Sequence, residues 1–129
     1  MLKHKGTQNI ETKRLVLRRA DLADAEPMFR NWASDPAVTR YLTWPTHREV
    51  ETTYQILNGW ISEYEKKNYY QWMIVLKEIG QPIGSISAVR LNEDLGEVEI
   101  GYCIGRPWWR KGITSEALKA VTEFFFTRV

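Results

Sequence analysis

The chain has 129 residues, 43% hydrophobic and 26% charged, with a formal net charge of +2, a balance that fits one globular domain rather than a disordered or membrane-embedded chain. One cysteine and two histidines allow no intramolecular disulfide and show no zinc-like spacing, so no metal is expected. Basic residues are interspersed with acidic ones, which argues against a DNA partner, and neither a bilayer-length apolar run nor a secretory h-region is present, so the protein is read as cytoplasmic and not membrane-bound.

Residues 1–9 read as a flexible N-terminus and residues 10–129 as a single domain. Lys13 to Arg19 alternates with period two, the mark of a half-buried strand. Asp21 or Asp24 can then cap a helix that places Ala25, Met28, Phe29, Trp32 and Ala33 on one face, Asp24 being the better cap because Pro27 is tolerated only in the first turn. Asp35-Pro36 and Trp44-Pro45 make the next stretch irregular. Thr46 and Glu49 fit a capping box for a second helix, whose face carries Val50, Tyr54, Leu57, Trp60, Ile61 and Tyr64. His47, at the start of this helix, is expected at the surface.

Three strand candidates follow, Tyr70 to Leu76, Ile83 to Leu91 and Glu97 to Ile104, with hairpin-length links that predict an antiparallel meander. Thr114 to Phe126 is amphipathic and closes the order as strand, helix, helix, three strands, helix. This is an α/β (α+β) pattern with a mainly antiparallel sheet. Between the last strand and the last helix lies Gly105-Arg106-Pro107-Trp108-Trp109-Arg110-Lys111-Gly112-Ile113-Thr114. A basic, glycine-bearing loop running into a helix N-terminus suits an anion, because the first helical turn leaves N–H groups unpaired and carries partial positive charge. The same pattern suits a capped surface helix behind a basic turn, and the residues alone leave both readings open.

The run Glu97-Val98-Glu99-Ile100-Gly101-Tyr102-Cys103-Ile104, followed by Pro107-Trp108-Trp109-Arg110-Lys111-Gly112-Ile113-Thr114-Ser115-Glu116-Ala117-Leu118, closely resembles motif A of the GNAT superfamily of N-acetyltransferases. The likeness is greatest to its RimJ/RimL-like branch, which acetylates protein N-terminal amino groups and small amines. Glu11 to Arg18, Trp32 to Leu42 and Pro82 to Ile86 resemble that branch in the expected order, so the likeness covers nearly everything from Ile10 onward.

The resemblance implies a GNAT-like fold, acetyl-CoA as the acetyl donor and a primary amine as acceptor, joined by direct attack in a ternary complex. It implies that backbone from Trp109 through Arg110, Lys111, Gly112, Ile113, Thr114 and Ser115 holds the pyrophosphate. Of the family's Gln/Arg-x-x-Gly-x-Gly/Ala loop, the central Gly112 is kept, and Thr114 stands where Gly or Ala is usual. Cys103, Ile104 and Gly105 would pair with the pantetheine arm, the N–H of Ile104 would receive the oxyanion, and Glu99 matches a candidate general base. Tyr41 and Trp44 would line the acceptor groove. A covalent route through Cys103 lacks a histidine placed to activate the thiol. Family members continue through a fifth strand, so the domain is expected to be truncated after the last helix. The exposed edge of the preceding strand would then invite a homodimer. The alternative reading is a non-catalytic CoA-binding or dimerisation module.

Overall fold

The computed structural model describes residues 4–40, 45–92 and 94–128. Strands β1 (Ile10–Glu11), β2 (Leu15–Arg18), β3 (Gln71–Leu76), β4 (Gln81–Asn92) and β5 (Glu97–Ile104) form one sheet in that spatial order, each neighbouring pair antiparallel. Between β2 and β3 lie a 3-10 turn at Leu22–Asp24, α1 (Ala25–Met28) running into a π-turn at Phe29–Ala33, α2 (Pro36–Thr39) and α3 (Val50–Glu63). After β5 come a 3-10 turn at Arg106–Trp108 and α4 (Ile113–Arg128). The antiparallel meander and flanking helices match the expected α+β architecture, with the short β1 as an additional strand. Among the described residues no helix is long and apolar enough to cross a membrane.

Strand alternation divides the core between two faces. Leu15, Leu17, Trp72, Ile74 and Ile86 meet Ile113, Ala117, Val121 and Phe124 of α4. On the opposite face, Met73 and Cys103 meet Ala25, Met28, Trp32, Leu57 and Tyr64. The central strand β3 is therefore buried along its whole length, and each of its large side chains contributes roughly 1.5–3 kcal/mol by leaving water. The Tyr64 hydroxyl pins the end of α3 to the sheet, donating to the Gln71 carbonyl and accepting from the Ala20 N–H, both at 2.8 Å. Residues 4–9, expected to be flexible, are bonded to the segment ahead of β3: the Gly6 N–H donates to the Lys67 carbonyl and the Thr7 hydroxyl to that of Tyr69.

Two helix starts differ from the expected ones. Asp24 stands at the cap position of α1 but makes no side-chain cap bond there. Asp21 caps the 3-10 turn ahead of it, accepting from the Ala23 N–H, while Asp24 accepts from the Asp21 N–H and from both Nη atoms of Arg18. The Arg18 guanidinium draws Asp24 into the box as its return partner. No capping box forms at α3: Glu49 occupies the cap position without a side-chain bond, and the Thr46 hydroxyl is bonded to that of Thr39. His47 is not at the surface but only 2% exposed, with its N–H on the Ala33 carbonyl and Nδ1 2.7 Å from the Thr53 hydroxyl.

Glycine at position 84 is a requirement of space. A Cβ there would lie 2.2 Å from the Cys103 carbonyl oxygen on the facing strand β5. Further along the same pair, Val89 is inserted in β4 between the partners of Ile100 and Glu99, a bulge that twists the strands beside Glu99.

Gly84→Ala is expected to destabilise the fold by about 1–3 kcal/mol, as overpacking does, read as a lower urea midpoint. Burial also lowers the pKa of His47, so the folded protein binds a proton less readily than the unfolded chain. Stability should therefore fall as pH drops through the ordinary histidine value of about 6.5, and His47→Gln should flatten that dependence in a series of urea melts.

Candidate active site

At the end of β5 the backbone turns its hydrogen-bonding groups toward the outer edge of the sheet. The Gly105 N–H donates to the Ile83 carbonyl at 2.8 Å, and the preceding Ile104 sits opposite Gly84. Because successive residues of an antiparallel strand point these groups to opposite sides, the N–H and C=O of Ile104 face away from β4. The Ile104 carbonyl accepts from the indole Nε1 of Trp109 at 2.7 Å. A cleft of about 430 Å³ lies along this edge, lined by Tyr102, Cys103 and Ile104 of β5, Trp109 and Arg110 of the loop, Thr114 of α4 and Val38 of α2.

The loop ahead of α4 owes its shape to left-handed backbone at Arg110 (φ 63°) and Gly112 (φ 75°). A Cβ at Gly112 would meet only the Arg14 Nη2, at an ordinary 3.5 Å, so glycine is needed there for its φ rather than for room. Arg110 adopts a conformation that most side chains avoid, a form of strain that collects at ligand-binding loops. The loop leads into the first turn of α4, where the side chain of Ile113 is buried in the core, Thr114 is half-buried and Ser115 is exposed. At Ile113 only the backbone can therefore face a ligand. Arg110 and Lys111 carry exposed positive charge beside the helix N-terminus, where dipole and charge favour an anion together.

Interactions that the sequence pattern did not reveal hold this loop. The Arg14 guanidinium donates from Nη1 to the Lys111 carbonyl at 2.8 Å and from Nε to Glu116 Oε1 at 2.7 Å. Glu116 Oε2 accepts from the Arg14 N–H and the Thr12 hydroxyl. Burial alone would push the Glu116 carboxyl up, but the bonds from Thr12 and Arg14 outweigh it and hold the pKa below the ordinary value. The loop after β5 is also tied to α2, since Arg106 makes a bidentate pair with Asp35, whose side chain caps that helix.

Cys103 is buried with its Sγ 3.4 Å from the Ser85 hydroxyl. Burial raises its thiol pKa, which disfavours the thiolate that an acetyl-cysteine route would need. Glu99 is exposed on β5, on the same face as Gly101 and Cys103. It lies about 14 Å along the strand from Cys103, outside the residues that line the cleft. Tyr41 and Trp44 lie outside the described residues. Among the described residues no group of His, Cys, Asp and Glu side chains could hold a metal ion. Gly112→Ala should cost about 1–2 kcal/mol through its left-handed φ, seen as a lower urea midpoint with unchanged far-UV circular dichroism.

The GNAT acetyltransferase domain family matches residues 14–129. The uncharacterised N-acetyltransferase p20 of Bacillus licheniformis is 32% identical over 123 residues, covering 93% of this chain and 67% of p20. A Vibrio cholerae structure assigned as a ribosomal-protein-serine acetyltransferase superposes with a TM-score of 0.84 at 21% identity, over 96% of this chain and 70% of its own. RimL, a ribosomal α-N-protein acetyltransferase solved in complex with coenzyme A, gives a TM-score of 0.79 at 21% identity, over 94% of this chain and 69% of its own. The chain thus spans about two thirds of the length of these relatives, and the solved structures speak for the fold. Matched by the domain family over nearly all of its length, the chain belongs to the GNAT family of acetyl-CoA-dependent N-acetyltransferases.

Proposed function

We propose that the protein moves an acetyl group from acetyl-CoA to a primary amine, a protein N-terminal amino group or a small amine, by direct attack within a ternary complex in the cytoplasm. The observation that carries this reading is the convergence of two features on one cleft: the outward-facing backbone of Ile104, and the left-handed loop that ends at a helix N-terminus. The loop from Trp109 to Ser115 suits a pyrophosphate, and within the Cys103–Gly105 edge the outward N–H and C=O of Ile104 suit the amide-bearing pantetheine arm. The Gly105 N–H is already bonded to the Ile83 carbonyl, and the Gly105 carbonyl to the Trp108 N–H. The Trp109 indole already bonds the Ile104 carbonyl, so the arm must share that carbonyl or displace the ring.

In the reaction the amine nitrogen loses a proton and bonds to the thioester carbonyl carbon. The Ile104 N–H receives the oxyanion, and collapse breaks the C–S bond and releases a thiolate, which takes up the second proton that the newly bonded nitrogen sheds in becoming the amide. Glu99 is the candidate base, acting through ordered water across its distance from the cleft. An α-amino group, with a reference pKa near 8, asks less of such a base than a lysine near 10.4. Tyr41 and Trp44 complete the proposal as contacts to the acceptor. The outer edge of β5, unpaired by any described strand, is where a second copy would add to form a homodimer.

Incubation of the protein with acetyl-CoA and a panel of N-terminal peptides, lysine peptides and polyamines should release free thiol. CoA binding without turnover on any amine would instead support a binding module. Gly112→Val should abolish CoA binding measured by calorimetry, and retained affinity would remove the loop from the site. Glu99→Gln should lower kcat by roughly 10²-fold, the low end for general base catalysis, with CoA affinity kept; an unchanged kcat would return Glu99 to a structural role.

A further inference from the structure

Building on the reading of the loop as a pyrophosphate site, we infer that Arg14 is a positioning residue for coenzyme A, acting through Glu116 and the Lys111 carbonyl. Glu116 occupies the first turn of α4. A carboxylate there is favoured by the helix dipole but repels a second anion gathered at the same helix end. Arg14 offsets that charge with its Nε 2.7 Å from Oε1 and its main-chain N–H 3.0 Å from Oε2. The Thr12 hydroxyl takes up the same Oε2.

The same guanidinium donates from Nη1 to the Lys111 carbonyl, which lies between the two left-handed residues Arg110 and Gly112. Its Nη2 would be 3.5 Å from a Cβ built at Gly112, so the group lies alongside the loop. One side chain thus neutralises the acid nearest the anion and ties down a carbonyl dipole between the loop's left-handed residues. Arg110 and Lys111 then act on the ligand without an uncompensated negative charge beside them. Lysine cannot reproduce the arrangement, since an ammonium lacks the planar fork that spans a carboxylate and a carbonyl together.

The test measures binding of CoA and of pantetheine, which lacks the phosphates, to the wild-type protein and to Arg14→Gln, Arg14→Lys, Glu116→Gln and the double variant Arg14→Gln/Glu116→Gln. Arg14→Gln should weaken CoA roughly ten- to thirtyfold, as an uncompensated nearby charge does, and leave pantetheine within about twofold. The double variant should recover most of the CoA affinity, because glutamine keeps the acceptor without the charge. Arg14→Lys should fall between, and Glu116→Gln should bind CoA no more weakly than wild type. Equal losses for CoA and pantetheine, or a double variant as weak as Arg14→Gln, would overturn the inference. Should Arg14→Gln fail to fold, Glu116→Gln and Arg14→Lys decide: a Glu116→Gln protein that binds CoA tenfold more weakly, or an Arg14→Lys protein that binds like wild type, would also overturn it. Failure of the wild-type protein to bind CoA would count against the site itself.

Discussion

The close approach of β4 and β5 at Gly84 sets the course of the chain from the end of β5 into α4. With no side chain at that position, the two backbones come near enough that a methyl group would lie 2.2 Å from the Cys103 carbonyl oxygen. Ile104 is thereby set opposite Gly84, with Gly105 bonded to Ile83, and this determines which backbone groups of β5 point outward. It also fixes the direction in which the chain leaves the sheet, and with it the placing of the loop before α4. A one-residue slip would exchange the inward and outward groups of Ile104 and turn Cys103 out of its buried position.

Much of this arrangement was legible in the residues because it is periodic. Leu15 and Leu17 alternate with half-buried neighbours, the three meander strands are bounded by turn residues, and α4 carries its apolar residues at helical spacing, so the core faces could be read directly. The loop was readable as a basic segment ending in glycine, and its resemblance to GNAT motif A supplied the ligand class. What could not be read depends on partners distant in the chain. Arg14 and Glu116 are 102 residues apart, and nothing in the local pattern of either shows that they meet. The left-handed backbone at Arg110 is likewise invisible, since arginine carries no preference for it. His47 misled because a polar residue at a helix start usually faces water; here the Thr53 hydroxyl and the Ala33 carbonyl give it polar partners inside the fold.

Charge is handled locally rather than globally. The net charge is only +2, yet acidic groups near the loop are paired: Glu116 with Arg14, and Asp35 with Arg106. Solvent-facing arginines in such partly exposed pairs add little to stability, so their interest lies in the field they leave behind. Cationic charge at Arg110 and Lys111 then acts beside the N–H groups of α4 without competition from those carboxylates.

The span of the Arg14 clamp also bears on how the protein acquires its site. The β3–β4–β5 meander is built from neighbours in sequence and can form early, whereas the clamp closes a loop of about a hundred residues and pays its entropy late. A chain in which the sheet has formed but α4 has not docked onto β2 still lacks the anchored loop. Any ligand taken up there selects the completed fold over its partly assembled forms, and by mass action it would lengthen the lifetime of the protein against unfolding and proteolysis.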